Sequence, residues 1–220
     1  MTQQEFAQFV DVTLVKNTNT IAEIDEMVDY VGRYPFACVF TLQCYMEYVL
    51  EKLKSNTSTN VGGIIGFPSG GEFTKIKLAE TSLNMELGAD ELDMVVNIGW
   101  LLSGKYDLAL DEIRQIREIA AGKPLKCIIE MSCLDDYTAR KACEIVARSG
   151  ADYVKTGTGW FGPATIGQVR LIKETVGSDV LIKAAGGIRD LEAVKAFRDE
   201  GVHRLGIGLS SAMEIMKELS

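Results

Sequence analysis

The sequence predicts an α/β protein, a single closed (β/α)8 barrel of the TIM type with a short N-terminal helix. Three observations carry that reading. Eight short β-branched or apolar runs alternate with helix-like stretches, and no long Pro- or Ser-rich linker interrupts the 220 residues. The spacing is one strand per roughly 28 residues, the length of one βα unit. A doubly wound open sheet is the alternative that the same alternation allows. No boundary divides the chain, so residues 1–220 read as one domain.

The strand candidates, in order, are FVDVT (9–13), ACVF (37–40), VGGIIGFP (61–68), ELDMVVNI (91–98), LKCIIEM (125–131), DYVKTGT (152–158), VLIKAAGG (180–187) and HRLGIG (203–208). Helical periodicity fills the intervals. Across 108–120, Leu108, Leu110, Ile113, Ile116 and Ile119 recur near i, i+3 and i+6, the pattern of an amphipathic helix packed on a sheet. Across 190–200, Asp190 is the expected N-cap, Leu191, Val194 and Phe197 form the apolar stripe, and Gly201 closes the helix. The SNTSTN patch at 55–60 reads as a loop leading into a strand.

Hydrophobic residues make up 47% of the chain and charged ones 25%, which excludes a disordered, collagenous or disulfide-stapled polypeptide. Lys and Arg total 23 against 31 Asp and Glu, a net charge of −8 that argues against general binding to nucleic acid or anionic membranes. No apolar run approaches membrane-spanning length, and the first thirty residues lack a basic segment followed by an apolar one, so a cytoplasmic location is expected. Cys38, Cys44, Cys127, Cys133 and Cys143 are odd in number, lack CxxC spacing and read as free thiols. Cys38 reads as a core residue, although its strand can also bring it to a pocket wall. The only histidine, His203, precedes the last strand and reads as structural. No three-His or HExxH site can be built, so no metal is expected and only an oxygen-ligand site is conceivable.

Strand polarity locates the chemistry. Leu181, Lys183 and Ala185 share one face of their strand, and Tyr153, Lys155 and Gly157 share one face of the preceding one. Burying an ammonium group costs several kcal/mol unless it is paired or loses its proton. Two readings follow: lysines paired with interior carboxylates, or lysines whose mutual repulsion and desolvation lower an amine pKa enough for nucleophilic attack on a carbonyl. Asp93, sharing a face with Val95 and Asn97, is the carboxylate that can pair with Lys183 or relay protons, or act as a purely structural ion partner. Glu130, alternating with Ile128 and Ser132, is a second interior carboxylate and reads as structural. Gly157 and Gly159, Gly186 and Gly187, and Gly206 and Gly208 follow or end adjacent strands near Arg189, where backbone N–H groups can converge on a phosphate.

Several segments together resemble the deoxyribose-phosphate aldolases. ADYVKTGTGW (151–160) is similar to their Schiff-base segment, LIKAAGGIR (181–189) to their second-lysine and phosphate segment, and GADELDMVVNIG (88–99) to their aspartate strand. IIGFP (64–68), DVTL (11–14) and RLGIG (204–208) match in order, so the resemblance spans about residues 10–210. It implies a metal-free and cofactor-free class I aldolase that reversibly cleaves 2-deoxy-D-ribose 5-phosphate to acetaldehyde and D-glyceraldehyde 3-phosphate. In that scheme Lys155 forms the imine, Lys183 lowers its pKa, and Asp93 partners Lys183 in a proton relay. Asp11, Thr13 and Thr158 line the substrate chain, while Gly159, Gly186, Gly187, Arg189, Gly206 and Gly208 surround the phosphate.

Departures from the resembled pattern are Val12, where histidine is frequent, Gly157, where serine is frequent, and Gly208, where a serine usually helps hold phosphate; here Ser210 and Ser211 follow. The chain ends EIMKELS, without the terminal tyrosine of some relatives, so a different proton-transfer step is expected. A class I aldolase for another aldehyde, phosphorylated or not, remains open, as does a non-catalytic sugar-phosphate-binding barrel. The partners expected are a small sugar phosphate and an aldehyde, with no nucleic acid or membrane, and a homodimer is the expected assembly.

Overall fold

In the computed structural model, which describes residues 1–56 and 58–220, eight parallel strands close on themselves in sequence order. They are β1 (Val10–Leu14), β2 (Cys38–Thr41), β3 (Asn60–Ile65), β4 (Glu91–Val95), β5 (Leu125–Ile128), β6 (Tyr153–Lys155), β7 (Leu181–Ala185) and β8 (Arg204–Gly208). The helices are α1 (Gln3–Phe9), α2 (Ile21–Arg33), α3 (Met46–Leu53), α4 (Thr74–Leu87), α5 (Ile98–Leu102), α6 (Tyr106–Ile119), α7 (Asp136–Ser149), α8 (Ile166–Val176), α9 (Leu191–Asp199) and α10 (Leu209–Glu218). Capping boxes start three of them: Thr2 with Glu5, Thr20 with Glu23, and Thr165 with Gln168. Asp190 caps α9 as the sequence suggests, accepting from the Ala193 N–H at 2.8 Å. Helix α1 is the predicted short N-terminal helix; its Phe6 meets Phe36, just ahead of β2, edge to face at 6.1 Å. Among the described residues, no helix is long and apolar enough to cross a membrane.

Several strands are shorter than their apolar runs. Phe9 belongs to α1, the Gly66–Pro68 end of the third run leaves the sheet, and only Tyr153–Lys155 of the sixth run stays in the ladder. Residues 156–158 therefore follow Lys155 outside the strand, with the Thr156 N–H still donating to the Lys183 carbonyl at 3.0 Å. Asn60 opens β3 rather than ending the 55–60 loop, and Thr57 within that loop lies outside the described residues.

Alternation along the strands divides the apolar residues in two. Val12, Val39, Met94, Cys127, Val154, Ile182, Leu205 and Ile207 point outward and join one continuous core with the helices. Inside the barrel, among the described residues, Cys38, Phe40 and Ile64 form a separate buried apolar cluster. Much of the remaining interior is charged: Asp11, Glu91, Asp93, Lys126, Lys155 and Lys183 are all buried.

The predicted stripe of α6 is rotated in the structure. Leu108 is 50% exposed, and the buried face runs through Ala109, Leu110, Glu112, Ile113 and Ile116. Glu112 can lie there because Lys77 of α4, also fully buried, pairs with it at 2.8 Å and donates to the Val95 carbonyl at the end of β4, at 2.9 Å. Hydrophobic periodicity misplaced the face because it counts a carboxylate as solvent-facing, whereas a buried cation reverses that preference.

Candidate active site

Register sets the geometry. Asp93 pairs with Lys126 across β4 and β5, and Lys155 with Lys183 across β6 and β7, so inward-pointing charges from neighbouring strands meet at one level. Asp93 Oδ2 accepts from both Lys155 Nζ and Lys183 Nζ at 2.7 Å, while its Oδ1 lies 3.2 Å from Lys126 Nζ. Lys183 Nζ also pairs with Asp11 Oδ2 at 2.6 Å, and Arg204 reaches Asp11 Oδ1 at 2.6 Å. Lys126 pairs with Glu91 at 2.5 Å. Phe40 forms one wall, with Lys183 Nζ 4.2 Å from its ring centroid.

Counted as ionised, this network holds four cations (Lys126, Lys155, Lys183 and Arg204) and three carboxylates (Asp11, Glu91 and Asp93), a surplus of one positive charge. The surplus is relieved most easily at Lys155, which alone of the three lysines lines the cleft. Desolvation by burial and repulsion from Lys183 and Lys126 outweigh the attraction of Asp93 and bring the Lys155 amine down to about 8. Burial would raise the Asp93 carboxyl, but Lys126, Lys155 and Lys183 hold it well below the usual carboxylate range. Asp11 is likewise lowered, burial being overcome by Lys183, Lys126 and Arg204. The arrangement thus presents an amine able to lose its proton near neutral pH beside a carboxylate that stays ionised.

Above this floor opens a cleft of about 750 Å³ at the carboxyl ends of the strands. Thr13, Asp93, Lys155, Thr158, Gly159, Gly186, Gly187, Arg189, Gly206 and Gly208 all line it. Gly159 and Gly186 adopt φ of 84° and 108°, and a Cβ on Gly186 would lie 2.8 Å from the Gly162 carbonyl oxygen, so the loops after β6 and β7 pack too closely for side chains. Ser210 and Ser211, in the first turn of α10, also face the cleft. Phe67 and Trp160 meet edge to face at 6.0 Å along its rim.

Asp11 departs from its expected place. It is completely buried, with its oxygens occupied by Lys183 and Arg204, and does not reach the cleft; Thr13, two residues further along the same strand face, does. Cys38 begins β2 in the barrel interior, where burial pushes its thiol well up, and it does not reach the cleft wall. His203 lies at the opposite barrel end, its Nδ1 accepting from the Ile182 N–H at 3.1 Å. Glu130 is buried outside the lysine network and accepts from Thr158.

The model of the DeoC/LacD family aldolases matches residues 5–216. The chain belongs to this family. The deoxyribose-phosphate aldolase of Streptococcus equi subsp. zooepidemicus is 39% identical over 211 residues, covering 96% of this chain and 94% of that protein. The deoxyribose-phosphate aldolase of Rhizobium meliloti is 40% identical over 216 residues, with 98% and 87% covered. The structure of the tetrameric deoxyribose phosphate aldolase from Aeropyrum pernix superimposes with a TM-score of 0.89 at 26% identity, covering 99% of this chain and 92% of that one.

For a DeoC/LacD aldolase, the sequence reading omitted three members of the charged floor: Glu91, Lys126 and Arg204. Each had a signal. Glu91 lies two residues before Asp93 on the same strand face, and Lys126 alternates with Ile128 as Lys183 does with Ala185. Asp11, Cys38 and Glu91 bring three ligand atoms within 4.8 Å of one another, the one such group among the described residues. Their fit to a metal is poor: Lys183, Arg204 and Lys126 already neutralise both carboxylates, and the thiol resists ionisation.

Proposed function

We propose that the chain is a class I aldolase that reversibly cleaves 2-deoxy-D-ribose 5-phosphate to acetaldehyde and D-glyceraldehyde 3-phosphate, with Lys155 as the imine-forming amine. One observation carries the assignment of Lys155: it is the cleft-lining lysine of the cluster, held near pH 8 by burial and neighbouring cations. Its neutral amine adds to the C1 aldehyde of the open-chain sugar, and water leaves as a protonated imine forms. The imine withdraws the electron pair of the C2–C3 bond as the C3 hydroxyl gives up its proton, releasing the hydroxyaldehyde and leaving an enamine. Protonation at C2 and hydrolysis then release acetaldehyde and the free amine. Asp93, 2.7 Å from both lysines, is suited to relay those protons through Lys183. Backbone N–H groups around Gly186, Gly187 and Gly206, with Arg189 and the N-terminus of α10, are suited to the phosphate.

A second reading, an aldolase for a less anionic aldehyde, draws support from Glu23, Glu26 and Glu214, which line the same cleft as Lys16 and Arg189. Comparing kcat/KM for deoxyribose 5-phosphate and unphosphorylated deoxyribose separates the two. The amine chemistry is tested by borohydride reduction in the presence of acetaldehyde, followed by peptide mass spectrometry. An adduct on Lys155, absent in Lys155→Ala, is expected; the absence of an adduct on any interior lysine removes the aldolase mechanism.

A further inference from the structure

Glu130 is 1% exposed, has no ion-pair partner among the described residues, and adopts a left-handed backbone with φ 48° and ψ 60°. A non-glycine residue pays strain for that conformation, so its neighbours must over-determine it. They do so mainly through Lys155 and the segment that follows it, with Ser132 adding a local contact. Ile129 N–H donates to the Lys155 carbonyl at 3.1 Å and Met131 N–H to the Thr156 carbonyl at 2.8 Å. The Glu130 carboxylate then receives three donors: Thr158 N–H at 3.0 Å, Thr158 Oγ1 at 2.6 Å and Ser132 Oγ at 3.3 Å. Gly157 leaves room for it, since a Cβ there would lie 2.6 Å from Glu130 Oε1.

A hydroxyl has one proton and two lone pairs, and an ionised carboxylate can only accept. Thr158 Oγ1 therefore spends its proton on Glu130. One lone pair takes the Trp160 N–H at 3.0 Å, which leaves a single acceptor position on a residue lining the cleft. We propose that Glu130 is a positioning residue that sets the polarity of Thr158, so that Thr158 accepts a hydrogen bond from a hydroxyl of the substrate's hydroxyaldehyde portion. The device selects a hydroxylated substrate over one carrying a bare carbonyl or ether oxygen at that place, because such an oxygen would meet a lone pair rather than a proton. The inference deepens the proposed aldolase reading and rests on it.

The test separates the reaction into halves. Acetaldehyde alone carries no hydroxyl, so its lysine-catalysed methyl proton exchange in D2O uses the imine and enamine steps without the Thr158 contact. Cleavage of deoxyribose 5-phosphate uses both. Glu130→Leu removes the acceptor, whereas Glu130→Gln keeps a carbonyl oxygen able to take both Thr158 donors. The expected result is that Glu130→Leu lowers kcat/KM for cleavage by about tenfold or more, with acetaldehyde exchange within about twofold of wild type. Glu130→Gln should recover most of the cleavage activity. Cleavage and exchange falling together in the folded Glu130→Gln protein would overturn the proposal, because Glu130 would then support the lysine segment as a whole. Unchanged cleavage in Glu130→Leu would overturn it equally. Wild-type protein that exchanges no acetaldehyde protons would instead overturn the aldolase reading itself, a result recognisable before any variant is made.

Discussion

At the scale of single residues, the site works by leaving one charge too many. Three carboxylates face four cations, and Lys155 is the cation that can shed its proton toward the cleft. Replacing Lys183 with methionine removes the surplus: Lys126, Lys155 and Arg204 then balance Asp11, Glu91 and Asp93, and Asp93 Oδ2 serves Lys155 alone. The Lys155 amine should therefore hold its proton to higher pH. Wild-type imine formation is expected to rise through about pH 8, and the midpoint in Lys183→Met should move up by about one unit or more. Stopped-flow imine formation across pH 6–11, after circular dichroism has established folding, measures the shift. An unmoved midpoint would mean that desolvation alone sets the amine and that Lys183 serves the later proton transfers.

At the scale of the elements, β4 carries Asp93 and meets charge chemistry both on its inward face and at its carboxyl end, while its outward face packs Leu92 and Met94 into the apolar core. Inward it joins the lysine network; at its end, Lys77 of α4 holds the Val95 carbonyl while pairing with Glu112 of α6, whose other oxygen accepts from Thr74. Breaking a buried pair from one side strands the remaining charge, so Lys77→Met should cost about 3–5 kcal/mol in urea unfolding, and the double variant Lys77→Met/Glu112→Leu should recover most of it. A single-variant loss below about 1 kcal/mol would show that the Glu112 carboxyl finds relief elsewhere. The same elements mark what was legible in the sequence. Lys155 and Lys183 stood out because a charge inside an apolar strand run is conspicuous, and strand alternation alone aimed both inward. Asp93 was legible for the same reason. Lys77 and Glu112 were not, since a charge on a helix is ordinarily solvated, and only the contact between α4 and α6 reverses that expectation. Asp11 was expected to line the substrate chain only through the resemblance; the structure buries it against Lys183 and Arg204 and leaves Thr13 of the same strand face to reach the cleft, because neither a motif nor face alternation tells how deep along a strand a residue sits.

At the scale of the whole molecule, the barrel is made less stable by the group that equips it for chemistry. The Lys155 amine is at about 8 in the folded protein against 10.5 in an exposed chain. Below pH 8 both states carry the proton and the folded state bears the full cost of burying it. Between pH 8 and 10.5 the unfolded chain binds more protons than the folded one, so stability from this group rises with pH; above 10.5 both are neutral and the cost is gone. The size of the effect is about 3 kcal/mol, on the order of a fifth to three-fifths of a typical domain's stability. Lys155→Met removes the titrating group without stranding Asp93, which keeps Lys126 and Lys183. The variant should therefore unfold at higher urea than wild type at pH 7, and the gap should close as pH is raised from 8 to 10.5. Tyrosine and surface-lysine titrations cancel in that difference, which isolates the one amine. A gap that stays constant with pH would assign the gain to packing of the methionine side chain, and a variant less stable at pH 7 would mean that the Lys155–Asp93 contact outweighs the desolvation it opposes.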